Sequence, residues 1–139
     1  MDELPDNDHD EARRWLHNIE EDLRVMRAVH RDPSSPARIT CFLSHLVVEK
    51  ALKAALIDAS LPFKKTHDLV ELYGMCRRAG RLPGLDETLL AHLTPWAIDG
   101  RYADDLREAD RPKADQFASF AEQVFGAVRD DLATSHGHE

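Results

Sequence analysis

The chain has 139 residues, of which 42% are hydrophobic and 32% charged, and its formal net charge is −8. This length suits one domain with an apolar core, and the composition excludes a largely disordered chain. No apolar run approaches the ~18 residues of a membrane span and no signal segment opens the sequence, so we expect a cytoplasmic protein without membrane contact.

The negative charge is concentrated at the beginning of the sequence. The segment "MDELPDNDHDE" holds six acids and neither Lys nor Arg, so residues 12–139 contribute only −2 (−8 minus −6). We predict an acidic disordered arm at 1–9, a helical domain at 10–133 and a disordered tail at 134–139. A body this close to neutral lacks the broad basic surface of a duplex-DNA-binding protein, so any nucleic-acid contact would be local.

Apolar residues recur at intervals of three and four, and no segment alternates at two, which predicts an all-α fold. The first amphipathic helix is expected at about residues 9–30, and the sequence "RDPSSP" ends it. The second helix opens near Pro36, a favourable first-turn residue, and runs to about Ala59. Because this second helix is apolar nearly all round, we expect other helices to surround it.

Clear turn signals separate the remaining helices. Thr66 is a candidate N-cap for a third helix, and Gly80 ends that helix. A fourth helix starts at Asp86 and is expected to bend at Pro95, and Asp110 introduces the last helix. The pattern predicts an up-and-down four-helix bundle with one additional short helix. The two cysteines, in separate helical patterns without CxxC spacing, are typical of reduced core thiols.

The second helix carries a line of polar residues along its apolar surface. At 100° per residue, Arg38, His45, Glu49 and Lys53 fall within about 80° of one another, and Lys50 lies off that line. Two interpretations stay open. Glu49 and Lys53 suit a solvent-exposed i, i+4 ion pair. Alternatively, Arg38 could clamp a phosphate while His45 deprotonates a ribose 2′-hydroxyl, as metal-independent ribonucleases require. A helical-bundle metal hydrolase needs Glu-x-x-His pairs, which the sequence lacks, so we predict neither a metal nor a cofactor.

Three short blocks follow one another in a fixed order: "EKALK" on the second helix, "THDL" at the third and "RY" after the fourth. Together they resemble the HEPN family (higher eukaryotes and prokaryotes nucleotide-binding), with a likeness that covers about residues 10–133. The chain departs from the usual pattern at Ala103, where relatives carry proline after Arg-Tyr. The matching residues are Glu49, Lys50, Ala51, Leu52, Lys53, Thr66, His67, Asp68, Leu69, Arg101 and Tyr102.

The resemblance implies an all-α bundle that forms a homodimer and binds nucleotide or RNA. It also implies the role of toxin-like subunit beside a minimal nucleotidyltransferase. For metal-independent endoribonuclease activity, the residues themselves and not the resemblance indicate His45 as the base and Arg38 as the phosphate clamp. The alternative is a non-catalytic dimeric module that docks a nucleotidyltransferase or another partner. The residues expected to bind nucleotide or RNA, or to form an interhelical polar cluster, are Glu49, Lys50, Lys53, His67, Asp68, Arg101 and Tyr102.

Overall fold

The computed structural model describes residues 7–97 and 109–136. Those ranges contain five α-helices and no strand, which confirms the predicted all-α helical fold. A 3-10 turn, Thr94–Ala97, follows the fourth helix directly. The helices are α1 (Asn7–Arg31), α2 (Ala37–Asp58), α3 (Leu69–Arg78), α4 (Glu87–Leu93) and α5 (Arg111–His136).

The second helix, α2, lies at the centre of the bundle. It packs against α1, α5, α3 and the 3-10 turn, as its nearly continuous apolar surface predicted. Thirteen of its 22 residues are buried, and five of these are polar or charged. A helix enclosed in this way must satisfy its polar side chains within the protein, because water does not reach them.

Helix α1 runs antiparallel to α2. At one end of the pair, His30 Nδ1 lies 3.3 Å from the Thr40 hydroxyl. At the other end, His9 Nδ1 lies 2.6 Å from Asp58 Oδ1. The short connection between the two helices leaves room only for this hairpin arrangement.

The carboxylate of Asp58 gathers three parts of the chain at the end of α2. Its side chain is fully buried, and it accepts hydrogen bonds from Arg81 and from Ser135, each at 3.0 Å. Ser135 belongs to the end of α5, whereas Asp115 near the start of α5 lies 2.7 Å from His30. Helix α5 therefore runs parallel to α2 and antiparallel to α1.

The outer helices extend further than the sequence pattern indicated. Helix α1 begins at Asn7, inside the segment expected to be an arm, and α5 continues to His136. Residues 134–136, which were expected in a disordered tail, are therefore helical.

The predicted N-cap of the third helix is wrong. Asp68 caps α3, since its carboxylate accepts hydrogen bonds from the backbone N–H groups of Val70 and Glu71. The Thr66 hydroxyl, two residues earlier, instead accepts a hydrogen bond from the backbone N–H of Asp68 at 3.0 Å. Thr and Asp are both good caps, so the sequence alone did not determine which of them would adopt the capping position.

The predicted starts of the last two helices are confirmed. Asp86 caps α4 by accepting from the backbone N–H of Thr88, and Asp110 accepts from that of Lys113 at the start of α5. Helix α4 gives way to the 3-10 turn at residue 94, immediately before Pro95, where the proline was expected to distort it.

The two cysteines are free and buried, as predicted. Burial raises the pKa of Cys41 to about 11 and that of Cys76 to about 12, so both thiols stay protonated and unreactive near neutral pH. Among the helices of the described ranges, none combines the length and apolar character needed to cross a membrane.

We expect the substitution Leu52→Ala to lower the free energy of unfolding by about 2–5 kcal/mol, because it opens a cavity at the centre of α2. The Leu52 side chain is fully buried, whereas Leu61 is 39% exposed. Leu61→Ala is therefore a matched control that should cost about 1 kcal/mol or less. Urea unfolding followed by circular dichroism measures both, and equal losses would contradict the central position of α2.

Candidate functional site

Four side chains from α2 and the loop before α3 form what we call the interhelical polar cluster: His45, Glu49, Lys53 and His67. Spacing of four residues places the three α2 members on one face. Glu49 is the centre of the cluster. Its Oε1 lies 3.0 Å from His45 Nε2 and 2.9 Å from His67 Nδ1, while its Oε2 accepts a hydrogen bond from Lys53 Nζ at 2.8 Å.

The cluster extends from the protein interior to its surface. The His45 and Glu49 side chains are 3% and 11% exposed, whereas that of His67 is 70% exposed. His45 Nδ1 lies 3.1 Å from the backbone carbonyl oxygen of Leu93, which ties the cluster to the end of α4. The His45 and His67 rings meet edge to face, with centroids 6.4 Å apart.

Opposing effects act on the Glu49 carboxyl. Burial alone would raise its pKa, but hydrogen bonds from His45, Lys53 and His67 together lower it from 4.5 to about 2. Glu49 is therefore ionised at all physiological pH values. Within the cluster, the charged groups of α2 are therefore paired inside the protein: Glu49 and Lys53 bind each other.

The other residues predicted for this site lie elsewhere. Lys50 donates hydrogen bonds to Asn18 and Asp22 of α1, both at 2.8 Å, so it joins the first two helices. Asp68 is exposed and is occupied in capping α3. Arg101 and Tyr102 lie outside the described residues, so their predicted roles stay predictions.

The hydrogen bonds of His45, one member of the predicted catalytic pair, connect it to other groups of the bundle. Both ring nitrogens of His45 are engaged, one with Glu49 and the other with the Leu93 carbonyl, and neither hydrogen bond involves Arg38. Arg38 is half-buried near the start of α2. The catalytic roles of Arg38 and His45 therefore stay a prediction.

Three members of the cluster also form a set of metal-ligand type. Ligand atoms of His45, Glu49 and His67 all lie within 4.8 Å of one another. Two imidazoles and one carboxylate are a common donor set for zinc. The sequence lacks CxxC spacing and Glu-x-x-His pairs and therefore predicted no metal. The His-x-x-x-Glu spacing on α2 was a usable signal, but the third group comes from a separate loop.

A second polar feature, which the sequence analysis did not identify, is a groove between α1 and α5. It comprises two adjoining cavities of about 330 and 300 Å³ that share Arg27 and Glu122. We call it the arginine groove. Its charged and histidine lining residues are Glu20, Arg24, Arg27, His30, Arg31, Asp115, Glu122 and Arg129. The i, i+3, i+7 spacing of Arg24, Arg27 and Arg31 on α1 would have predicted one basic face.

Some of the groove cations are already paired. Arg27 donates two hydrogen bonds to the Glu122 carboxylate, at 2.6 and 2.7 Å, and this pairing raises the pKa of Arg27. His30 Nε2 pairs with Asp115 at 2.7 Å. Arg24 and Arg31 are exposed and form no ion pair with any residue of 7–97 or 109–136. The groove thus keeps two guanidinium groups available to an anion.

A comparison with protein families matches residues 11–131 to the HEPN domain. This range covers most of the 139 residues. The chain belongs to the HEPN family. The match confirms the resemblance carried by the "EKALK", "THDL" and "RY" blocks, and both polar features of this HEPN domain lie within the matched range. Neither the curated proteins nor the solved structures contain a match to this chain.

We expect Glu49→Gln to lower the free energy of unfolding of the HEPN domain by about 2–3 kcal/mol near neutral pH. The folded-state pKa of about 2 lies below the ordinary value of 4.5, so the ionised carboxylate stabilises the native state. This stabilisation is complete above pH 4.5 and disappears as the pH falls from 4.5 towards 2. Denaturant unfolding in the presence of EDTA, at several pH values, measures it.

The matched control is Glu87→Gln, because Glu87 is an exposed carboxylate in the first turn of α4. The unfolding free energy of the Glu87→Gln variant should stay close to that of the wild type over the same pH range. A constant difference between wild type and Glu49→Gln down to pH 2 would contradict the proposed charge interactions.

Proposed function

We propose that this HEPN protein binds a nucleotide or a short RNA through phosphate contacts in the arginine groove. We further propose that it acts as the HEPN subunit of a pair with a minimal nucleotidyltransferase and is itself a homodimer. The observation that supports binding most strongly is the alignment of Arg24, Arg27 and Arg31 along the side of α1 that faces the groove.

The charge of the groove differs from that of the whole chain. Four arginines and three carboxylates line it, whereas the chain as a whole carries −8. Guanidinium groups bind phosphate oxygens through paired hydrogen bonds, so Arg24 and Arg31 suit this role. Cavities of about 330 and 300 Å³ are within the size range of small-molecule sites.

The lining of the groove also includes an aromatic side chain. Phe125 lines its floor, and the Arg129 guanidinium carbon lies 5.9 Å from the centre of that ring. A guanidinium held over an aromatic ring keeps a defined position at low entropic cost. Arg129 is therefore a third cation that lines the groove, although its Nε also lies 3.5 Å from Asp130 Oδ1.

The two histidines nearest these features have no ring nitrogen left to act as a base, so the geometry favours RNA binding over RNA cleavage. His45 is 2% exposed and both of its ring nitrogens are hydrogen-bonded. His30 directs one nitrogen to Asp115 and the other to the buried Thr40 hydroxyl, with Arg111 3.4 Å away. A general base needs a free nitrogen within reach of the ribose hydroxyl.

The engaged ring nitrogens of His45 and His30 also support a second candidate function. In this function the protein is a non-catalytic interaction module that docks a nucleotidyltransferase or another partner. In that case the arginine groove would receive acidic side chains of the partner instead of phosphates. RNA titration distinguishes the two functions, because only the first requires the protein without a partner to bind nucleic acid.

We expect Arg24→Glu to weaken the binding of a short single-stranded RNA by about tenfold, which corresponds to about 1.4 kcal/mol. The substitution removes one phosphate contact and adds a repulsive charge. It should also reduce the slope of log affinity against log salt concentration by about 0.7. Fluorescence anisotropy at several salt concentrations measures both quantities.

Arg13→Glu is the matched control, since Arg13 is an exposed arginine of α1 that does not line the groove. It changes the net charge by the same amount and should leave RNA affinity nearly unchanged. Equal weakening by both variants would mean that only the net charge of the protein matters. A wild-type protein with no RNA affinity would favour the interaction module.

We expect the purified protein to leave RNA intact in the presence of EDTA, because neither His45 nor His30 offers a free ring nitrogen. The measurement is gel analysis of a labelled RNA over pH 5–9, with His45→Ala, Arg38→Ala and His30→Ala prepared in parallel. Cleavage by the wild type that His45→Ala and Arg38→Ala each abolish would instead establish these two residues as catalytic.

A further inference from the structure

The hydrogen-bond pattern around His45 is incomplete without an additional positive charge. Its Nδ1 lies 3.1 Å from the Leu93 carbonyl oxygen, which can only accept, so Nδ1 carries a proton. Its Nε2 lies 3.0 Å from the ionised carboxylate of Glu49, which can also only accept. A neutral imidazole has one proton and cannot satisfy both acceptors.

Two arrangements resolve this conflict. In the first, His45 is an imidazolium, held in a site where its side chain is 3% exposed and where Lys53 already pairs with the same carboxylate. In the second, Nε2 has a lone pair and a cation lies between it and Glu49. Both arrangements place positive charge near Lys53, so the choice between them depends on whether the donor atoms are placed to hold a metal ion.

The donor atoms converge in a way that suits a metal ion. Glu49 Oε1 is 3.0 Å from His45 Nε2 and 2.9 Å from His67 Nδ1, and the three atoms lie within 4.8 Å of one another. Ligand atoms in a tetrahedral zinc site, with bonds of about 2.0–2.2 Å, are separated by about 3.4 Å. The two oxygen–nitrogen distances would change by about half an ångström to reach this value, and the two ring nitrogens already lie within 4.8 Å of each other.

The surroundings of these three atoms resemble the outer shell of a metal centre. Metal-binding histidines usually donate their other ring N–H to a carbonyl or carboxylate, as His45 does to Leu93. Ligating carboxylates are in turn hydrogen-bonded, as Glu49 Oε2 is by Lys53 at 2.8 Å. Both contacts fix the orientation of the proposed ligands, and neither occupies a coordinating atom.

We propose that His45 Nε2, Glu49 Oε1 and His67 Nδ1 form a binding site for a divalent transition-metal ion of the zinc type. Imidazole and carboxylate donors favour zinc and its neighbours over calcium or magnesium. Three protein ligands leave a fourth position, and the 70% exposure of the His67 side chain places it at the solvent boundary. One carboxylate does not neutralise the metal and Lys53, so the fourth ligand is an anion such as hydroxide or a phosphate oxygen.

The experiment uses the full chain after removal of metal with EDTA and dialysis. Co²⁺ is added as a spectroscopic probe and Zn²⁺ is titrated calorimetrically. We expect one ion per chain, with the visible absorption of four-coordinate cobalt, and a higher melting temperature with Zn²⁺. His67→Ala should weaken binding by at least about 100-fold, since a direct ligand matters no less than an outer-shell partner.

His67 is exposed, so His67→Ala should fold normally, which its melting curve in EDTA checks. His67→Cys keeps a metal ligand and should retain binding with an altered cobalt spectrum. The matched control is the double substitution His136→Ala and His138→Ala, which removes both histidines of the segment "SHGHE" and should leave the affinity unchanged.

Three results would overturn the proposal. The first is no Zn²⁺ or Co²⁺ binding by the wild type at micromolar concentration. The second is binding that His67→Ala retains, and the third is binding that the double substitution at positions 136 and 138 removes. RNA binding by the arginine groove is independent of all three results, because no residue belongs to both features.

Discussion

An ionised carboxylate is stable inside a helical bundle only when hydrogen-bond donors surround it, and this requirement organises the middle of α2. Glu49 meets it with donors from its own helix and from the loop before α3. His45 extends the connection to the carbonyl of Leu93 at the end of α4. Helices of ten and seven residues are too short to be stable alone, so α3 and α4 depend on docking of this kind.

The two polar features of this HEPN domain come from different pairs of elements. The interhelical polar cluster belongs to α2 and the α3 loop, whereas the arginine groove belongs to α1 and α5. The one acid of the cluster, Glu49, has partners inside the protein at both oxygens, whereas the groove keeps Arg24 and Arg31 exposed. The cluster therefore suits the single ion proposed above, and the groove suits the proposed ligand from solution.

Local signals in the sequence predicted most of the fold. The apolar stripes of α1 and α5 and the caps at Asp86 and Asp110 depend only on residues a few positions apart. Contacts between distant segments could not be predicted in the same way. Glu49 is hydrogen-bonded with His67, and Lys50 with Asp22. Both contacts depend on how separate segments of the chain pack together. The basic face of α1 was visible in the sequence, but charged faces of helices are so often merely solvated that it drew no prediction.

The contacts of Asp58 hold the start of α1 close to the end of α5. His9 in the first turns of α1 and Ser135 at the end of α5 hydrogen-bond to the two oxygens of this single carboxylate. The outermost helices therefore start and finish within a few ångströms of each other, although 126 positions separate these residues (135 minus 9). A short peptide could join them, and new ends could be opened in the turn at 32–36 without removing a helix. Circular permutation would then show whether the bundle needs its natural chain order or only its packing.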